Sequence, residues 1–161
     1  MKTALVLLAA AAAIAPVPAT AQSARRPAPE SIRFQAGPCF GACPIYNVTV
    51  RSDGTGTFEG VNFTAVRGTR EFRLTARQYQ AFARHLAPIR PARGSLDTNS
   101  LGCRDMITDM PSAAVTWTGR RGTQSLHHYY GCDPRRNGAL ARRLSSAPDL
   151  LPIRDYIGAQ R

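Results

Sequence analysis

The sequence predicts an α+β domain, an antiparallel sheet of about six strands with two or three helices packed on one face. Three observations carry that class. Apolar and polar residues alternate along Ile45–Arg51 and along Ser31–Gln35, which is the period of strands with one buried face. Asp53-Gly54 and Gly119-Arg120-Arg121-Gly122 then divide such runs with gaps of turn length, so neighbouring strands pair antiparallel. Between the two hairpins the period becomes helical, with Tyr79, Phe82, Ala83 and Leu86 recurring at i, i+3, i+4 and i+7.

Taken in order, Ser31-Ile32-Arg33-Phe34-Gln35 alternates and stops at Gly37-Pro38, giving a short first strand. Tyr46, Val48 and Val50 form the buried side of the next. Asp53-Gly54 turns the chain, because both central positions of a two-residue hairpin favour positive φ. Thr55–Glu59 returns with Phe58 inward, and Asn62–Arg67 and Arg70–Leu74 read as two further short strands. Thr75 with Gln78 three residues on is a capping box opening the helix, which Pro88 and Pro91 end. Ala92–Ser112 is irregular, and a loop of that length is either functional or tied down. The second hairpin pairs Ala113–Thr118 with Gln124–Tyr130. Asp133 is expected to cap a helix with Pro134 at its first position, running to about Leu144. Leu150–Ile157 closes the core with Leu151, Ile153, Tyr156 and Ile157.

Domain organisation follows from the ends of this pattern. Residues 1–21 carry one positive residue, Lys2, an uncharged run from Thr3 to Ala15, and Ala19-Thr20-Ala21, whose small residues fit a signal peptidase. The run is shorter than the roughly 20 residues that span a bilayer, and no later stretch could cross one. The expectation is a signal peptide over 1–21, a Pro- and Arg-containing disordered lead over 22–30, and one domain over 31–161 in the periplasm or outside the cell. No Cys stands at the cleavage point, so no lipid attachment is expected there.

The chain of 161 residues has a formal net charge of +11. Lys2 is its only lysine, so beyond residue 21 every basic side chain is an arginine. Arginine binds phosphates and carboxylates bidentately, which suits an anionic partner. The arginines are nevertheless scattered, and alanine, glycine and proline are abundant beside them, as a GC-rich genome would produce. Nucleic acid is not an expected partner for an exported chain.

Four cysteines behind an export signal imply two disulfides, and three pairings are open. Cys39 and Cys43 are near enough in sequence to bridge one turn, with Gly41 giving the freedom to close it; Cys103 is then left with Cys132. A loop near 30 residues gains about 3 to 4 kcal/mol on closure by chain entropy, and the small first loop much less. The redox or copper alternative uses Cys39, Cys43 and one of His127 and His128, because C-x-x-x-C-P also looks like the motif of the Sco-type copper-delivery proteins. There the motif opens a helix, whereas here it opens an alternating strand.

His127 and His128 are strand neighbours whose side chains leave opposite faces, so they cannot chelate one ion together without a bulge. Asp105 and Asp109 could act as an acid pair, although Asp109 before Met110-Pro111 is equally a turn residue. Thr108, Asp109, His128 and Tyr130 are the residues to look for around a pocket. No Ser-His-Asp spacing, phosphate loop or zinc motif is present, and neither a cofactor nor a catalytic residue is assigned.

Cys39-Phe40-Gly41-Ala42-Cys43-Pro44-Ile45-Tyr46, Asp53-Gly54, Gly60, Thr108-Asp109-Met110-Pro111 and Tyr129-Tyr130-Gly131 together resemble an uncharacterised bacterial family. That family is a domain of unknown function marked by a C-F-G-x-C-P-x-Y opening, a D-G hairpin and a later T-D-x-P, and the likeness covers about Ile32 to Leu144. It implies a fold and an envelope address and carries no catalytic residue across. Relatives often lack the second cysteine pair, which favours pairing Cys39 with Cys43 and Cys103 with Cys132. The functional expectation is a non-catalytic module that binds an envelope component, with the thiol or copper protein as alternative and an enzyme using Asp105, Asp109 or His128 third.

Overall fold

The alternating segments form strands wherever one side finds apolar cover. A computed structural model describes residues 29–158, so the expected signal segment and residues 22–28 of the lead lie outside the described residues. Among the described residues seven strands are present: β1 (Ser31–Ala36), β2 (Ile45–Arg51), β3 (Thr55–Asn62), β4 (Gly68–Arg73), β5 (Ser95–Asp97), β6 (Ser112–Gly119) and β7 (Gly122–Tyr129). They form one sheet in the order β4-β3-β2-β1-β6-β7-β5. Every pairing is antiparallel except β5 with β7, so the sheet is mixed and has one strand more than about six.

Three α-helices follow: α1 (Ala76–Leu86), α2 (Gly138–Ser146) and the short α3 (Arg154–Ile157). The buried side chains Phe34, Val48, Val50, Phe58, Val115, Trp117 and Leu126 come from one face of the sheet and share a cluster with Phe82, Leu86, Leu144 and Ile153. The helices therefore cover one face, and Arg33, Asn47, Thr49, Glu59 and Ser125 stand on the other. Gln35 Nε2 donates to Asn47 Oδ1 at 3.0 Å, and Asn47 Nδ2 to Glu59 Oε2 at 2.9 Å, a polar row across that open face.

An aromatic chain crosses the core beneath β1 to β4. Phe34 lies 6.3 Å from Tyr46, which stacks on Phe58 at 5.5 Å, and Phe58 meets Tyr156 of α3 at 5.5 Å. Ring pairs of this kind add about 0.5–1.5 kcal/mol each beyond their burial. α1 begins with the expected capping box: Gln78 N–H donates to Thr75 Oγ1 at 3.2 Å and Thr75 N–H to Gln78 Oε1 at 2.9 Å.

Four local expectations change. The β2–β3 turn has three residues, Ser52 to Gly54, and only Gly54 takes a positive φ, because Asp53 Oδ1 accepts from Thr55 N–H at 2.9 Å and holds its own backbone in place. Asn62–Arg67 is no strand: β3 runs on to Asn62, and Ala65 and Val66 instead donate to Ile157 and Tyr156 carbonyls. The irregular stretch contains β5, laid against β7 after α1 has carried the chain across the helical face. Asp133 does not cap α2, which starts five residues later at Gly138 after Asn137.

Candidate functional site

The strand directions place one set of loops together. β1, β3, β5 and β7 end, and β2, β4 and β6 begin, at the same end of the sheet. The corner Cys39–Cys43, the Asn62–Arg67 turn, the 98–111 loop and the 130–133 turn all stand at this end. Cys39 and Cys43 are bonded with Cα atoms 5.8 Å apart, and Cys103 and Cys132 with Cα atoms 5.3 Å apart.

The long loop is tied along its length. Asp133 Oδ1 accepts from Arg104 N–H at 2.9 Å and from Asp105 N–H at 2.7 Å. Ile107 N–H donates to Gly131 O at 2.9 Å, and Tyr130 N–H to Pro111 O at 3.0 Å. Tyr129 braces the middle: its hydroxyl donates to Ile107 O at 2.9 Å and accepts from Met110 N–H at 3.2 Å. Gly131 permits that approach, since a Cβ there would stand 1.9 Å from Ile107 O. The loop reaches the corner through Phe40 N–H and Asp109 O, 3.2 Å apart.

Between these loops and the end of α2 opens a cleft of about 330 Å³. Its floor is Phe34, Ala36, Tyr46 and Ala113 from the sheet, and its walls are Pro44, Met110, Pro111, Tyr130 and Pro148. Cys43 stands at its edge, with the polar rim of Ser112 and Ser145. Neither Tyr46 nor Tyr130 hydroxyl bonds another described residue. Burial pushes the Tyr130 phenol up to about 12. Tyr46 is raised further, chiefly by burial and then by Tyr130 and Asp149. Both stay neutral at ordinary pH and offer hydrogen-bond donors to a ligand's oxygen or nitrogen.

Of the four residues sought around a pocket, Tyr130 lines this cleft and the other three do not. His128 is buried behind it, its ring edge-on to Tyr130 at 5.3 Å and its Nδ1 2.9 Å from Thr98 Oγ1. Thr108 and Asp109 are exposed; the Thr108 hydroxyl donates to Asp109 Oδ2 at 3.3 Å, and Asp109 takes φ 66. His127 leaves the opposite face, with Nδ1 3.2 Å from Asp97 Oδ1. Asp105 pairs with Arg135 at 3.3 Å. Among the described residues no three His, Cys, Asp or Glu side chains gather around a common point.

Tyr46, Phe34, Ser145 and Pro148 had no signal in the sequence as site residues, because strand alternation marks the first two only as core. Pro44, Met110 and Pro111 did lie in the motifs that carried the family resemblance.

Fold and site define a disulfide-stabilised α+β domain with an apolar, tyrosine-bearing cleft at one end of its sheet. The chain belongs to the family of the domain of unknown function DUF6438, whose model matches residues 30–147. Curated proteins give no match to the chain. No helix of the described residues is long and apolar enough to cross a membrane.

Proposed function

We propose that this chain is an exported, non-catalytic binding module of the periplasm or the extracellular space, and that the cleft beneath the Cys39–Cys43 corner is its ligand site. The lining of the cleft carries the proposal. Apolar walls with a few placed polar groups are the make-up of a small-molecule or side-chain pocket, and about 330 Å³ lies at the small end of that range. The lining offers hydroxyls but no carboxylate, imidazole or guanidinium, so it suits a neutral, largely apolar group with one or two acceptor atoms. Export is supported by the pattern of residues 1–21 and by two disulfides, which persist in oxidising compartments.

The test uses the neutral apolar fluorophore N-phenyl-1-naphthylamine. It should bind saturably at one site, and filling the floor with Ala113→Leu or Ala36→Leu should weaken it on the order of tenfold while leaving the fold intact by circular dichroism. Non-saturable binding, or binding indifferent to both fillings, would sink the proposal.

A further inference from the structure

A second hollow lies apart from the cleft and shares no lining residue with it. The Cys103–Cys132 bridge shapes it. Thr98, Leu101 and Gly102 precede one cysteine, and Asp133, Arg136 and Asn137 follow the other, so the bond holds the two segments together around about 310 Å³. A cavity whose sides are cross-linked is formed before a ligand arrives, which lowers the ordering cost of binding.

Opposite charges line this hollow without neutralising each other. Asp133 is 7% exposed. Its Oδ1 is taken by the N–H groups of Arg104 and Asp105, and its Oδ2 accepts from no described residue. Two unpartnered side-chain atoms are sealed in the interior, Asn99 Oδ1 and His128 Nε2; Asp133 Oδ2 is not one of them and opens into the hollow that Asp133 lines. A carboxylate this deeply placed favours a cation as its partner. Arg136 lines the same hollow and is exposed, and among the described residues no ion pair joins it to Asp133.

The start of α2 adds donors beside Arg136. The Asn137 side chain donates to Cys132 O at 2.8 Å and caps no helix N–H, and no acidic residue stands in the first turn. The N–H groups of Gly138, Ala139 and Leu140 meet no acceptor among the described residues. Free N–H groups and the dipole at a helix start favour an anion.

We infer that this hollow binds a free α-amino acid with an apolar side chain. Its ammonium meets Asp133, its carboxylate meets Arg136 and the open start of α2, and its side chain covers Leu101, which is 72% exposed on the lining. A lone anion would face the Asp133 carboxylate and a lone cation would face Arg136, whereas a zwitterion answers both charges at once.

The experiment is calorimetric titration of the oxidised chain from Gln22 onward with L-leucine, isopentylamine and isocaproate. The last two are leucine without its carboxylate and leucine without its ammonium. Leucine should bind at one site, and each analogue on the order of tenfold more weakly, since each gives up a charge-assisted contact. Arg136→Gln, a change at an exposed side chain, should weaken leucine and isocaproate alike and leave isopentylamine unchanged. Asp133→Asn should do the reverse, with circular dichroism to confirm its fold; if it does not fold, the split that Arg136→Gln makes between the analogues still decides. Ala113→Leu, which fills the cleft, should change none of these affinities, so this site and the cleft stand or fall separately. The inference is overturned by no leucine binding, by either analogue binding as tightly as leucine, or by leucine binding that Arg136→Gln leaves intact.

Discussion

Asp133 shows how one residue can satisfy a sequence rule and yet serve another purpose. Asp followed by Pro reads as a helix N-cap, but Asp133 adopts φ 44 and turns its carboxylate to two backbone N–H groups across the disulfide loop. Its own N–H donates to Asp105 O at 2.8 Å. The residue is buried, so losing the carboxylate would leave two donors without an acceptor. The two donors belong to the exposed residues Arg104 and Asp105, so each lost hydrogen bond costs about 0.5–1.5 kcal/mol. Asp133→Ala should therefore lower stability by roughly 2–5 kcal/mol in urea unfolding, from two such bonds plus about 1–2 kcal/mol for a left-handed alanine. Asp133→Asn should cost clearly less, because asparagine keeps one acceptor oxygen and tolerates that backbone conformation. Equal losses for the two variants would remove the carboxylate's role.

At the level of elements, the two bridges do different things. Cys103–Cys132 spans 29 residues and joins the long loop to the turn after β7, while Cys39–Cys43 spans 4 and shapes the corner before β2. Entropy of loop closure grows with length, so removing the first should cost about 3 to 4 kcal/mol and removing the second much less. Cys103→Ser with Cys132→Ser is thus expected to lower the melting temperature more than Cys39→Ser with Cys43→Ser. Thermal unfolding of the two double variants checks the order; the reverse order would show that the corner holds more of the core than its few buried side chains suggest. The elements themselves were partly legible. The capping box at Thr75 and the β6–β7 hairpin depend on residues within a turn of each other and stand where the pattern places them. The Asn62–Arg67 segment alternates like a strand, but β4 already pairs β3 up to Gly60, and a close approach there admits no Cβ, so the segment bends away to α3.

Across the whole molecule, stability should fall toward acid in two stages. His128 is held below its ordinary 6.5 by burial, and next by the charge of His127. The protonated ring carries an N–H on both nitrogens, and Nε2 has no partner among the described residues. The unfolded chain therefore binds this proton more readily than the folded one, and stability declines as pH drops below about 6.5 until the folded-state value is passed. The carboxylates shift in the same direction, from hydrogen bonds and neighbouring charge. Asp53 is lowered by its hydrogen bonds from Thr55 and then by Arg51 and Arg73, and Asp97 by the Asn99 backbone and then by His127. Their contribution is complete above about 3.8 and is lost as pH falls through their lower folded values. Urea midpoints measured from pH 7.5 to 3 should show both stages, and His128→Gln should flatten the upper one alone. An upper stage that persists in His128→Gln would assign it to another group.

The sequence by itself determined what depends on near neighbours and on composition. The strand alternation, the helical period of Tyr79–Leu86 and the opposite facing of His127 and His128 all follow from geometry repeated every two to four residues. Only the tertiary structure decided the cleft, because its lining runs from Phe34 to Pro148 and converges through strand register and the placing of the end of α2 over the sheet. The parallel strand β5 was hidden for the same reason, having three residues and its partner about thirty positions away. His128 shows the boundary most clearly. Alternation says that one histidine turns inward, but long-range packing puts Thr98 on its Nδ1 and Tyr130 across its ring, between it and the cleft.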